Sequence, residues 1–416
     1  MKKSLKWLAL ALAVAMVLTF AACGTKTVDD EGVTEAPVTE ETAANGIALE
    51  DLKLGFIFLH DENSTYDKNF MDAAKAAQEK YGLTDDQVFF TTGIPEGQEC
   101  YDKAAEYADA GCQLVFADSF GHESYMVQAA KDFPEVQFCH ATGTNANTAG
   151  LDNYHNAFAS IYEGRFLAGV AAGMKLNEMI VNGDISAADA KVGYVGAYPY
   201  AEVKSGYTSF FLGVRYACEF ATMEVKYTNS WFDIAAEKEA ALALINDGCV
   251  LISQHADSEG APKACEENNI PNVAYNISTI DIAPTTALIS SKIDWTPYFE
   301  YIIECLLNGE AIATDWCGSI ATGSVKLTTL NTDVAAEGTQ EKLDEIQAML
   351  EDGSLKVFDT STWTLDGETV TTYLADVIPD DAYTPDTEAI KDGAFAESSD
   401  RSAPYFDILI DGITEM

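Results

Sequence analysis

The chain encodes one α/β unit twice. Residues 88–116 (VFFTTGIPEGQECYDKAAEYADAGCQLVF) lie over residues 225–253 (VKYTNSWFDIAAEKEAALALINDGCVLIS) without a gap. Each copy reads as a strand, a turn, an amphipathic helix and then Gly-Cys-x-Leu, at Gly111-Cys112 and at Gly248-Cys249. The stretches ahead of them also correspond, since KLGFIFL (53–59) and KVGYVGA (191–197) both open a strand into a loop and a helix. Alternation of strands and helices builds parallel sheets covered on both faces. The repeat therefore points to two doubly wound lobes.

Strands are expected at 53–59, 87–93, 112–118 and 137–143 in the first half, and at 191–198, 224–230, 249–257 and 272–278 in the second. Helical patterns such as NFMDAAKAAQEKYG and YDKAAEYADAG separate them. A hydrophobic content of 48% is enough to fill two such cores. The formal net charge of −43 argues against nucleic acid or anionic lipid head groups as partners of the general surface, because phosphate binding needs clustered Lys and Arg. Besides Cys23, the cysteines are scattered among apolar residues (GCQLVF, QFCHA, GCVLIS) with no C-x-x-C pair and no Cys/His cluster at metal spacing. They read as small buried hydrophobes. No metal or cofactor is expected.

In doubly wound lobes a ligand binds outside the carboxyl ends of the strands. The loops at those ends are rich in aromatic and polar residues: HDENSTY (60–66), ADSFGHESY (117–125), AYPYAEV (197–203), TNSWFD (228–233), QHADS (254–258), YNIS (275–278) and SKIDW (291–295). Trp231 and Phe232 stand together where a strand gives way to a helix. Trp231 can form one wall of a slot for a flat molecule, with Tyr66 or Phe120 of the other lobe opposite. Ser119, His255, Asp257 and Asn276 are candidates to orient the ligand, and Trp295, at a helix start near the hinge, is a further aromatic candidate. Asp233 fits a helix cap better than a ligand contact; Asp257 also fits a cap, His255 also fits packing between lobes, and His140 reads as structural.

The first residues are read apart from the fold. MKKSLKWLALALAVAMVLTFAAC carries Lys2, Lys3 and Lys6 ahead of an apolar run that closes on two small residues and Cys23. This pattern resembles a bacterial lipoprotein signal, cleaved before Cys23 with lipid added to its sulfur; ordinary secretion with an unmodified Cys23 is the alternative. The acidic, Thr- and Ala-rich stretch after it reads as a flexible tether.

The segments ADSFG, FPEVQFCHATG, SIYEGRFLAGVAAG, TNSWFD, ALINDGCVLISQHADS and SAPYFDILIDGI (402–413) resemble the basic membrane protein family of bacterial substrate-binding lipoproteins. The resemblance runs from about Lys53 to Met416. Relatives in that family include purine nucleoside receptors of ABC transporters. It implies the type I periplasmic-binding-protein fold, two α/β lobes joined by hinge crossovers that close on a ligand. It also implies an ABC transporter permease as partner and a lipid anchor on the outer face of the cell membrane. Tyr66 and Asp67 in STYD match the motif of one stacking aromatic, and Trp231 with Asp233 matches the other. Ser278 falls where nucleoside-binding relatives place an Asp that grips ribose, and Ile293 where they often place a Lys. QHADS, NSWFD and DWTPYF resemble a subgroup associated with free purine bases. The resemblance thus favours a nucleobase over a nucleoside.

The expected layout is a signal at 1–22, a tether at 23–50, a first lobe from 51–165 with 272–295, a second from 166–271 with 296–330, and an α+β appendage at 331–416 packed on one lobe. Within the appendage a helix is expected over 334–353 and short strands near 355–360, 363–367 and 369–376. An enzyme is not expected: the five histidines are dispersed, and neither a G-x-S-x-G elbow nor H-E-x-x-H occurs. A riboflavin-like vitamin as ligand, or a sensor serving a membrane signalling partner, are the alternatives.

Overall fold

The computed structural model describes residues 46–380 and 382–416, so the expected signal, Cys23 and most of the tether lie outside the described residues. The tether stops short of residue 50. Ile47 N–H donates to Leu306 O at 2.9 Å, and Leu52 is fully buried.

The first lobe is built from β1 (Leu54–Ile57), α1 (Thr65–Tyr81), β2 (Val88–Thr91), α2 (Gln98–Asp109), β3 (Leu114–Ala117), α3 (Glu123–Asp132), β4 (Gln137–Ala141), α4 (Ala146–Ala149) and β5 (Tyr154–Ala159). The second holds α5 (Ile161–Asn182), β6 (Lys191–Gly196), α6 (Ala201–Ala217), β7 (Thr222–Tyr227), α7 (Ile234–Asn246), β8 (Leu251–Gln254), α8 (Gly260–Asn268), β9 (Asn272–Tyr275) and β10 (Ala287–Ile293). The chain then returns to the first lobe through α9 (Thr296–Asn308) and β11 (Asp315–Gly318), and crosses back with β12 (Val325–Leu327).

The two sheets run β11-β5-β4-β3-β1-β2 and β12-β10-β9-β8-β6-β7-β17, the last strand being Ile413–Glu415. From β1 to β5 and from β6 to β10 the order is the same. The repeat seen in the sequence is therefore β2-α2-β3 against β7-α7-β8. Both copies leave their helix through a left-handed glycine, Gly111 at φ +83° and Gly248 at φ +90°. In parallel register, Leu54 lies opposite both Val88 and Leu114 in one sheet and Val192 opposite both Met223 and Leu251 in the other. All eight expected strands are present, most of them trimmed at their ends, while β7 begins two residues earlier than expected.

The lobe boundaries differ from those expected. β9 and β10 belong to the second lobe, because β9 follows β8 through α8 and pairs beside it, Asn272 opposite Ile252. Consecutive strands joined by a short crossover neighbour one another. The chain changes lobe only after β10, when α9 packs onto the first sheet with the Phe299 ring 5.2 Å from Phe56 and 5.0 Å from Phe116. Residues 296–318 thus complete the first lobe.

The appendage begins with α10 (Thr339–Glu351), followed by two short hairpins, β13 (Leu374–Ala375) with β14 (Thr387–Glu388) and β15 (Ile390–Lys391) with β16 (Ala394–Phe395), and by β17 (Ile413–Glu415). At 355–360 and 363–367 only isolated bridges form, at Asp359 and Leu365. The appendage does not rest on one lobe alone. Ser402 N–H donates to Asp315 of β11 at 2.8 Å, while β17 extends the second sheet beside β7. Close approach holds α5 to α6: a Cβ at Gly169 would lie 2.0 Å from Phe210 O, and one at Gly213 2.0 Å from Phe166 O. No helix of the described residues is long and apolar enough to cross a membrane.

Candidate functional site

Strand-end loops of both sheets meet at one cavity. It is lined by Leu59 and His60 after β1, Tyr66 and Asp67 on α1, Ser119 and Phe120 after β3, and Thr142 after β4. The second lobe contributes Glu202 on α6, Trp231 after β7, His255 and Asp257 after β8, and Tyr275 at the end of β9. The cavity volume, mouth included, is about 390 Å³.

The lobes meet around it. Thr65 N–H donates to Asp257 O at 2.9 Å, and Asn69 donates its side-chain N–H to Ile293 O. Rings from opposite lobes close the rim, Phe120 at 5.7 Å from Tyr200 and His60 at 5.5 Å from Phe232. Trp231 packs edge-on against Tyr198 at 5.0 Å, and Tyr66 against Phe70 at 4.8 Å. Tyr66 is fixed further by its hydroxyl, which donates to Asp118 O at 2.9 Å.

Local sequence explains these placements. Ser64 caps α1, and its hydroxyl donates to Asp67 Oδ2 at 2.5 Å, which holds Asp67 at the slot. Asp233 caps α7 by accepting from Ala235 N–H and Ala236 N–H, as its sequence position suggested. That cap ends the turn that carries Trp231. Asp257 N–H donates to Trp231 O at 2.9 Å, which ties the β7 and β8 loops to each other.

The carboxyl groups are pushed in opposite directions. Burial pushes Asp67 up, but hydrogen bonds from His60 and Ser64 outweigh it and hold this carboxyl below its usual range. Burial, with Asp67 beside it, raises Asp118 well above the carboxylate range. Burial also raises Asp257, reinforced by Glu237, Asp67 and Glu202 and opposed by Arg165. His255 is pushed down by burial and by Arg165, and its Nε2 lies 3.4 Å from Glu202. Arg165 is 1% exposed and sits behind the wall, its guanidinium 3.4 Å from the Tyr275 ring centre and donating to Gln254 O. The slot therefore offers aromatic faces with both donor and acceptor groups, and no Lys or Arg lines it.

Six of the candidates read from the sequence, Tyr66, Ser119, Phe120, Trp231, His255 and Asp257, come together here. Asn276 stands behind the wall, 1% exposed, and its side-chain N–H donates to Asp257 Oδ1 at 3.1 Å. Trp295 does not reach the slot. It is 1% exposed in the first-lobe core, stacked on Phe70 at 4.3 Å, because α9 packs under β1 and β3 rather than beside the cavity. Leu59, His60, Thr142, Glu202 and Tyr275 also line the cavity without having been singled out; His60, Glu202 and Tyr275 lie in strand-end loops named from the sequence, and Leu59 and Thr142 follow β1 and β4.

The family model described as ABC transporter substrate-binding protein, PnrA-like, matches residues 57–357. The chain belongs to this family. A purine-binding protein of Brucella abortus is 31% identical over 331 residues, 77% of this chain and 89% of that one. A putative ABC transporter glucose-binding protein of Haloferax volcanii is 29% identical over 295 residues, 71% of this chain and 67% of that one. Among solved structures, an ABC transporter solute-binding protein of Conexibacter woesei aligns with TM-score 0.59 at 19% identity, covering 73% of this chain and 98% of its own. One from Aeropyrum pernix aligns with TM-score 0.62 at 15% identity, covering 74% and 93%. These share the fold. The protein is an extracytoplasmic substrate-binding component of the family, whose members carry small ligands to transporter permeases.

Proposed function

We propose that the protein captures a purine between Trp231 and Tyr66, with a free nucleobase preferred to a nucleoside, and delivers it to the permease of an ABC importer without chemical change. The observation that carries this reading is a cavity between the lobes lined by Tyr66, Phe120, Trp231 and Tyr275, with carboxyls pushed in opposite directions, Asp67 below its usual range and Asp257 above it. A purine ring presents N–H donors and ring-nitrogen acceptors around a flat edge, which this mixture complements. Phosphorylated ligands are disfavoured, since the lining residues include no Lys or Arg. The Brucella relative named for purine binding supports the same reading. Titration calorimetry with adenine, guanine, adenosine, riboflavin and glucose tests it. Binding of adenine or guanine tighter than adenosine is expected; binding of glucose or riboflavin alone would overturn the purine reading.

We further infer that Cys23 carries the lipid that holds the mature chain on the outer face of the membrane. A Cys23→Ser chain should leave washed membranes, whereas its retention there would show that anchoring has another source.

A further inference from the structure

Thr142 lines the slot in a backbone conformation that its side chain resists. It follows β4 directly, is 4% exposed, and has φ +63°. Left-handed backbone is uncommon outside glycine, and for a β-branched residue it is a true outlier that persists only where its surroundings enforce it. The next position leaves no latitude either. A Cβ at Gly143 would lie 1.9 Å from Asn156 Nδ2, 2.5 Å from His140 Nδ1 and 2.6 Å from Glu123 Oε1.

The enforcing group is Glu123, in the first turn of α3 and 7% exposed. Its Oε1 accepts from Thr144 N–H at 2.7 Å, Asn145 N–H at 2.8 Å, the Tyr154 hydroxyl at 3.0 Å and Asn156 Nδ2 at 3.3 Å. Its Oε2 accepts from Asn145 Nδ2 at 2.7 Å and the Thr144 hydroxyl at 3.3 Å. Hydrogen bonds to an ionised acceptor are the strong ones, and four of these six come from the two residues just past the strained turn. Asn156 adds a second grip by accepting from Ala146 N–H at 2.7 Å. Thr142 itself sends its hydroxyl proton back to Ala141 O at 2.6 Å, which leaves the oxygen's two lone pairs to act as acceptors.

We infer that Glu123 is a positioning residue for ligand binding: it clamps residues 144 and 145 so that Thr142 is held in left-handed backbone as an acceptor on the slot wall. Glu123 never touches the ligand. The inference rests on this cavity being the ligand site, and it deepens the reading above by adding an acceptor for a ring N–H.

Glu123→Gln tests it, because the amide keeps the volume but turns an NH2 group toward N–H donors. Without the clamp, Thr142 relaxes out of left-handed backbone. Glycine at 142 has no such drive, so Thr142→Gly supplies the second arm. Amide hydrogen exchange of the unliganded proteins should show residues 142–146 opening in Glu123→Gln while β1, β3 and β4 stay protected. Adenine calorimetry should show about a tenfold or greater loss of affinity for Glu123→Gln, shrinking to less than about threefold when the same substitution is made in a Thr142→Gly background. A purely structural role for Glu123 would give the same loss in both backgrounds and would overturn the inference. Unchanged exchange at 142–146 would also overturn it, with or without ligand. If adenine binds the wild type and Glu123→Gln equally while the loop opens, the positioning role fails and the purine reading stands. If the wild type binds no purine, that reading fails, and the cycle is run with whichever of riboflavin or glucose binds.

Discussion

Trp231 shows what one residue can and cannot declare about itself. A large aromatic in a strand-to-helix turn is out of place unless something covers it, and here Tyr198 covers one edge while the slot lies beside it. Truncating a buried aromatic anchor commonly costs more than ~2 kcal/mol of binding. Trp231→Ala should therefore weaken purine binding by about 30-fold or more, with little change in the thermal melt of the unliganded protein; unaltered affinity would place the ligand elsewhere. Trp295 carried a similar outward signal, an aromatic at a helix start, and lies in the core. Nothing local distinguishes the two. The difference is which sheet the following helix lands on, a long-range fact. Thr142 was invisible for another reason: its importance lies in a backbone angle, and threonine is a residue that ordinarily avoids that angle.

At the scale of elements, the strands joined by short helices were legible because an apolar run between turn signals needs no distant partner to be recognised. β11, which reads DWCG, was not, since it carries no apolar run and depends on β5 for its place. How elements are tied at the site is clearest at α7. Glu237, fully buried, accepts from Asp233 N–H at 3.1 Å and from Ser258 N–H at 3.1 Å, joining the start of α7 to the turn after β8. Burial pushes its carboxyl up to about 7, against the pull of the hydrogen bonds from Ser258 and Asp233. The folded state thus holds a proton that the unfolded chain gives up near the usual 4.5. This contribution to stability is fully present below the unfolded value and is lost as pH rises toward 7, at up to about 1.4 kcal/mol per pH unit. Glu237→Gln removes that dependence. Between pH 5 and 8 the melting temperature of the wild type should fall relative to that of Glu237→Gln; parallel profiles would mean that Glu237 is already ionised in the folded protein.

For the whole molecule, the repeat made two lobes legible, but not where the chain passes between them. Crossing after β10 rather than before β9 depends on α9 finding Phe56 and Phe116, a choice made by packing and not by any local pattern in SKIDWTPYF. The appendage's reach across both lobes was hidden in the same way, since a three-residue strand such as ITE carries no signal without β7 beside it. That late pairing also bears on how the protein is made. The first sheet needs Asp315 opposite Asn156, and the second needs Ile413 opposite Met223. Contacts so distant in sequence close slowly, because the loop entropy is lost before the pairing rewards it. A nascent chain therefore has an incomplete edge on the first sheet until β11 is made and on the second until β17 is made. For a protein that works outside the cytoplasm, such slow closure is expected to favour export ahead of folding.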